Sequence, residues 1–397
     1  MDKLFETAIF TRNSLLKIME TKSYDELVQN VRNWYIDFIE RELNLDFKNI
    51  EIIVAPGVGD FKNGIFRGNM KDFYAYTLYS LAKQFPCAED DTISIHLDIT
   101  HGFNYTPTLT YKAVSEIASI ISLSKDVKLK VYNSEPFVQG VKTLRIHIVE
   151  ETSINPISTV SGMTSNVRLL EPLDLTNEER QKLFREDLGE IKEVLEYKTI
   201  NAFLSSIVNG LPLLLYSTYP DVEKMKQCLD LCDNVYKEYI NVQGNDKLKV
   251  QRHLYFNENF VTLTKAFLIA KSLRLAGKTE VSLRELHEVR EKLFTKNSKL
   301  NSQISRDLSE IREKIESLGD KISEIKAWTP YRNILSTKLG EPNLRNFFAH
   351  SGLEYNVIEI EVDHNILEKG EDLNDAIKVR YSKEYMNKVI DFAQKGL

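Results

Sequence analysis

The hydrophobic pattern of this chain changes period near residues 155–166, and that change constrains the fold more than any other feature. Before it, apolar runs are short, rich in β-branched residues and separated by turn residues. After it, apolar residues recur every three or four positions for most of the remaining chain. The segment between, "NPISTVSGMTSN", is rich in Ser, Thr, Asn and Gly and reads as a boundary. An α/β part followed by an all-helical part is the expectation, and 397 residues suffice for more than one core.

In the first part, "NIEIIVAPGVGD" (49–60) reads as a buried strand running into a loop at Pro56, Gly57 and Gly59. A helix over 70–84, a strand over 93–99 and a helix over 106–124 with Pro107 in its first turn follow. The alternating runs "VKLKVYNS" (127–134) and "VKTLRIHIVEE" (141–151) predict a hairpin. Helices are expected over 177–209, 221–241, 253–276 and 282–295. After them Leu300, Ile304, Leu308, Ile311, Ile315, Leu318, Ile322 and Ile325 form one apolar stripe, suited to core or to a partner helix. A strand-like "YNVIEIEV" (355–362) and a helix from 382 close the chain. The expected divisions are 1–160, a helical connecting region over 161–250, and 251–397.

Composition narrows the function. No apolar run approaches the roughly 18 residues of a membrane span, and "MDKLFETAIFTRNSLLK" carries charges inside its apolar stretch, unlike a secretory signal, so a cytoplasmic protein without membrane contact is expected. Cys228 and Cys232, four apart with no CxxC partner, read as core thiols. The net charge is −6, yet residues 251–397 hold 24 Lys and Arg against 22 Asp and Glu, while the remainder hold 28 against 36. That balance excludes a general nucleic-acid coat and permits a local phosphate-binding groove.

Two short stretches carry chemistry. In "ISIHLDITHGFNYTP" (93–107) a strand stops in Asp98, Thr100, His101, Gly102 and Asn104, where ligands bind in open α/β sheets. Gly102 permits close backbone approach, Thr100 and Asn104 offer neutral hydrogen-bonding groups, His101 can meet a phosphate or base edge, and Asp98 braces the loop. The bland alternative is a turn that satisfies only itself. A metal bound by His96, Asp98 and His101 lacks a fourth group, and no metal is expected. The glycines near 57–64 fit neither GxGxxG nor a P-loop.

The second stretch, "EPNLRNFFAHSGLEY" (341–355), reads as a short helix from Pro342 to Ser351–Gly352, anchored by Leu344 and Phe348. His350 falls in its last turn, where the helix dipole favours a cation and suits imidazole to proton transfer. Asn346 shares its face, whereas Arg345, five residues before His350, lies about 140° around the helix and must bend toward the same phosphate or meet one from a partner helix. A satisfied structural histidine is the competing reading.

An α/β part bearing "DITHGFN" before a helical part ending in "RNFFAH" resembles the CARF–HEPN accessory ribonucleases of type III CRISPR systems. The resemblance implies a Rossmann-like CARF sensor followed by an all-α HEPN ribonuclease domain. It implies a homodimer, with higher oligomers open, that binds a cyclic oligoadenylate, most often the four-nucleotide ring, through Thr100, His101, Gly102, Asn104, the brace Asp98, and Gly57. It also implies metal-independent, cofactor-free endonucleolytic cleavage of single-stranded RNA by Arg345, Asn346 and His350, in antiviral defence. At the N-terminus, 4–10 has room for one short strand, fewer elements than the family implies ahead of "SYDELVQN". Two alternatives stand beside this reading: a non-catalytic nucleotide-sensing regulator, for which no basic helix-turn-helix is found, and a HEPN toxin without cyclic nucleotide control.

Overall fold

Along Thr92–Asp98 (β3), Ile93, Ile95 and Leu97 alternate with polar residues, and in the computed structural model this alternation covers one face of the strand only. The structure describes residues 20–41, 51–86, 91–102, 104–136, 143–244, 247–325, 327–337 and 340–397, so the expected strand at 4–10 lies outside the described residues. β3 is therefore half-buried. The helix Thr106–Ile121 (α3) carries the chain to Asp126–Ser134 (β4), which pairs parallel to β3 from Thr92↔Asp126 to Asp98↔Tyr132. Ile146–Ser153 (β5) returns antiparallel to β4 with a bulge at Val131/Tyr132, as the hairpin expectation required. Lys71–Gln84 (α2) packs on α3, and both bury Leu78, Ala82, Ile117 and Ile120.

The strand expected ahead of Pro56 does not form among the described residues: 51–58 has no regular element, and Gly59–Asp60 (β1) pairs with Gly64–Arg67 (β2). The reason is in its hydrogen bonds. From the helix Tyr24–Arg41 (α1) Arg32 Nε donates to Ile52 O at 3.3 Å, Arg252 Nη1 donates to Gly57 O at 2.8 Å, and Val58 N donates to Tyr105 Oη at 2.8 Å, so side chains take the place of a neighbouring strand. β2 pairs parallel with Leu248–Arg252 (β8), and β8 pairs antiparallel with Ile240–Gln243 (β7). This sheet joins residues on both sides of the boundary expected at 160.

The expected helix over 177–209 is broken into Asn177–Lys182, a π-turn, Ile191–Val194 and Tyr197–Asn209 (α4). The helix Val222–Glu238 (α5) ends before β7. Leu254–Phe256 (β9) pairs with Leu170–Pro172 (β6), so the helix expected from 253 starts only at Glu258–Leu273 (α6), after the Asn257 side chain caps it. α6 is buried on nearly every side, with Phe260, Leu263, Ala266 and Ala270 fully enclosed. One apolar core runs from α2 and α3 through α4 and α6 to Leu283–Leu293 (α7) and Ser298–Glu316 (α8). Ile304, Leu308, Ile311 and Ile315 of the apolar stripe lie in that core. Cys228 and Cys232 are buried free thiols, and burial pushes Cys228 up to about 11.

The C-terminal part is not all-α. Val281–Ser282 (β10), Ile377–Tyr381 (β13), Ile358–Val362 (β12) and Thr329–Pro330 (β11) form an antiparallel sheet in that order, with Ile358↔Tyr381 through Val362↔Ile377 in register. The run "IKVRY" buries Ile377, Val379 and Tyr381 on one face, a period of two too short to stand out among charged neighbours. Leu344–Ala349 (α9) and Met386–Gln394 (α10) complete the part.

Candidate active site and ligand cluster

α9 exists because both of its ends are held. The Asn343 side chain accepts from the N–H groups of Arg345 at 2.9 Å and Asn346 at 3.4 Å. At the other end Gly352 N donates to Phe347 O at 2.8 Å and Ser351 N to Phe348 O at 3.4 Å, with both Ser351 (φ 50°) and Gly352 (φ 78°) left-handed. The anchor is Phe347, fully buried against Phe392 and Tyr381, and not the expected pair Leu344 and Phe348, which are only partly covered.

His350 caps α9 with its side chain 42% exposed, and its Nδ1 lies 3.7 Å from Oδ1 of Asp307 on α8. Asp307 is 3% exposed and already hydrogen-bonded: Ser351 Oγ donates to its Oδ2 at 2.8 Å, and Arg306 donates to its Oδ1 through Nη2 at 3.1 Å and Nε at 3.3 Å. Arg306 Nη2 also reaches Ala349 O at 3.3 Å, and Gln303 Nε2 donates to Phe348 O at 2.7 Å. The last carbonyls of α9 are thus satisfied by side chains of α8.

Of the three residues expected here, His350 joins this cluster. Asn346 is half-buried with its carbonyl bonded to His350 N at 3.0 Å, and Arg345 is exposed with no side-chain partner among the described residues. Sequence reasoning missed Arg306 and Asp307; the signal was a charged residue at 307 on the buried face of the stripe, between Ile304 and Leu308. Asp307, Glu310 and His350 offer possible metal-ligand atoms within 4.8 Å of one another. A cation there would face the Arg306 guanidinium on the same Asp307 oxygen. Behind the loop, buried Glu354 accepts from Asn343 N at 3.4 Å and Asn356 Nδ2 at 2.9 Å; burial pushes its carboxyl up.

At the end of β3, Asp98 braces its loop as expected, accepting from Thr100 N at 2.8 Å. Thr100 Oγ1 accepts from Ser134 N at 3.1 Å and ties the loop to β4. Gly102 has φ 145°, and a Cβ there would collide with Thr106 Oγ1 and press on Pro107, so only glycine fits. His101 and Asn104 are exposed. His96 Nδ1 sits 2.9 Å from Tyr132 Oη and Asp98 on Thr100, so the geometry does not support a metal held by His96, Asp98 and His101.

Gly57 reaches this cluster through a residue that sequence reasoning missed. Tyr105 Oη accepts from Val58 N at 2.8 Å and donates to Val58 O at 3.1 Å, holding the 57–58 loop at the start of α3. From the other side Arg252, itself buried, donates to Gly57 O at 2.8 Å and Arg67 O at 3.4 Å, while its Nε has no hydrogen-bond partner among the described residues. Nearby Asp72 is fully buried, accepting from Phe256 N at 2.9 Å and Tyr236 Oη at 3.1 Å. Burial pushes its carboxyl up to about 7, against these hydrogen bonds and the Arg252 charge, which favour the carboxylate.

Comparison with known proteins fits both clusters into one frame. The CARF domain of CRISPR system endoribonuclease Csx1 matches residues 3–136, and the HEPN domain of the same endoribonuclease matches residues 297–383. The CRISPR system endoribonuclease Csx1 of Methanocaldococcus jannaschii is 33% identical over 409 aligned positions, covering 97% of this chain and 83% of the relative. The chain belongs to the Csx1 family. Its CARF match contains Gly57 and the 98–104 loop, and its HEPN match contains α8, α9 and the strands β11 to β13. The Csx1 HEPN region in this chain therefore includes most of the C-terminal sheet. Among the described residues no helix is long and apolar enough to cross a membrane.

Proposed function

We propose that this chain is a cyclic oligoadenylate-activated, metal-independent endoribonuclease that cleaves single-stranded RNA in type III CRISPR antiviral defence. It acts in the cytoplasm as a homodimer, with cyclic tetra-adenylate as activator. A Rossmann-like sensor over 1–160, centred on the β3–α3–β4 unit, binds the ring. A connecting region over 161–250 supplies shared core, and the ribonuclease occupies 251–397. The observation that carries the reading is His350 at the end of α9, half-exposed beside a buried carboxylate, in a chain that matches the HEPN domain of a CRISPR endoribonuclease.

RNA carries its own nucleophile. The 2′-OH loses its proton as O2′ bonds to the adjacent phosphorus; the P–O5′ bond breaks and the departing O5′ takes up a proton. The products carry a 2′,3′-cyclic phosphate and a 5′-OH. His350 moves one of these protons, Arg345 stabilises charge on the phosphoryl oxygens, and Asn346 offers a neutral donor beside them. Imidazole and guanidinium supply what the step requires, so cleavage persists in EDTA. In the sensor, the exposed His101 and Asn104, the bare backbone at Gly102 and the loop at Gly57 face the ring, while Asp98 and Thr100 hold their loop in shape.

The test is an RNA with a single 2′-deoxy substitution at the main cleavage position, incubated with protein, activator and EDTA. Cleavage at that position stops, and the unsubstituted RNA gives fragments bearing 2′,3′-cyclic phosphate. Cleavage of the 2′-deoxy position, or strict dependence on added divalent metal, would contradict the mechanism.

A further inference from the structure

The expected arginine, Arg345, sits about 140° from His350 around an ideal helix. A different guanidinium lies beside the histidine. Arg306 reaches across from α8, and its side chain is 64% exposed. It is fixed at two points: Oδ1 of the buried Asp307, and the carbonyl of Ala349, the residue immediately before His350. Its Nη1 makes no hydrogen bond among the described residues, so a donor remains free for an incoming ligand. Asp307 in turn holds Ser351, the residue immediately after His350, through Ser351 Oγ. One buried carboxylate therefore sets both the guanidinium and the backbone on the far side of the imidazole. The charged groups facing His350 are Arg306, Asp307 and Glu310 from α8 and buried Glu354 beyond the loop.

We infer that Arg306 is an RNA-contacting residue of the ribonuclease site, donating to a phosphate next to His350, and that Asp307 is the positioning residue that aims it. The inference rests on the RNA-cleaving reading above. It assigns to each protomer its own phosphate-binding arginine on α8, separate from the one expected on α9. A guanidinium held in a fixed orientation by a buried carboxylate loses little freedom on meeting a phosphate, which favours Arg over a flexible lysine at this position. Because Asp307 already accepts three hydrogen bonds and is shielded from solvent, it orients and does not itself take the substrate proton.

The experiment uses the full chain in a His350→Ala background, bound to a fluorescent RNA with cyclic tetra-adenylate present, over a range of salt concentrations. Adding Arg306→Ala should weaken RNA binding by about tenfold or more, the loss typical of one charge-assisted hydrogen bond. It should also reduce the slope of log affinity against log salt by about 0.7, the equivalent of one single-strand phosphate contact. Arg306→Lys should recover the salt slope but only part of the affinity. With His350 restored, Asp307→Asn, which keeps a partner for Ser351, should raise KM for RNA with the melting temperature unchanged. Unaltered RNA affinity and salt slope in Arg306→Ala, or a variant that loses only thermal stability, would overturn the inference. If Arg306 governs RNA binding but the native chain cleaves nothing, the ribonuclease reading fails and the phosphate contact stands.

Discussion

Two networks in the molecule each rest on one buried aspartate and one arginine, and they open in different directions. Beside the 57–58 loop, Asp72 of α2 and Arg252 of β8, which the C-terminal part of the chain lends to this site, are both enclosed, and Arg252 Nη1 donates to backbone carbonyls of that loop and of β2. In the ribonuclease half Asp307 is enclosed but Arg306 is mostly exposed, and His350 stands half-exposed beside them. The first network fixes a shape. The second holds ionisable groups at the surface, where a substrate can reach them. A buried charge in the sealed network contributes to folding free energy, whereas in the open one its effect appears mainly in binding and turnover.

The largest expected effect falls on the open network. His350→Ala should lower activator-stimulated cleavage by about 10²–10⁴-fold, the range for loss of a general acid or base, with cyclic tetra-adenylate binding retained by calorimetry. The sealed network should show itself as a pH dependence of stability. Asp72 is raised in the folded chain to about 7 from an ordinary value of 3.8. Its favourable contribution is therefore complete below about pH 4 and is lost as pH rises through about 7, a change of up to about 4 kcal/mol. Urea unfolding at pH 5 and pH 8 should show this loss, and Asp72→Asn should flatten it; an equal slope in both proteins would break the contrast.

Arg252→Met should cost about 3 kcal/mol in urea unfolding, since it orphans the Gly57 carbonyl and removes a positive charge that favours the Asp72 carboxylate. Arg306→Ala should change unfolding by less than about 1 kcal/mol, because the guanidinium is mostly exposed and Asp307 keeps the hydrogen bond from Ser351 Oγ when it is gone. Comparable losses from both arginines would erase the distinction between sealed and open. At the ligand loop Gly102→Ala should cost about 1–2 kcal/mol through strain at φ 145°, and it should weaken activator binding measurably by calorimetry.

What was legible in the sequence was local. The strand at 92–98, the helix after Pro107 and the brace from Asp98 to Thr100 follow from residues a few positions apart. α9 was legible for the same reason in its stop at Ser351–Gly352, although it begins at Leu344, after the Asn343 cap, and not at Pro342. The stretch 51–58 misled because its backbone partners are distant side chains, Arg32 for Ile52, Arg252 for Gly57 and Tyr105 for Val58. β7 and β8 were hidden beside strongly periodic helices, and β13 by its five-residue length. The sequence pattern located His350 but could not supply Arg306 and Asp307, since they approach it from another helix more than forty residues away.

The most direct test is the rate of cleavage of a fluorescent single-stranded RNA in EDTA, with and without cyclic tetra-adenylate, by the native chain and by His350→Ala. Cleavage should require the ring, survive EDTA and disappear in the variant. Native protein that binds the ring yet leaves the RNA intact, or a His350→Ala variant that cleaves as well as the native chain, would contradict the ribonuclease assignment.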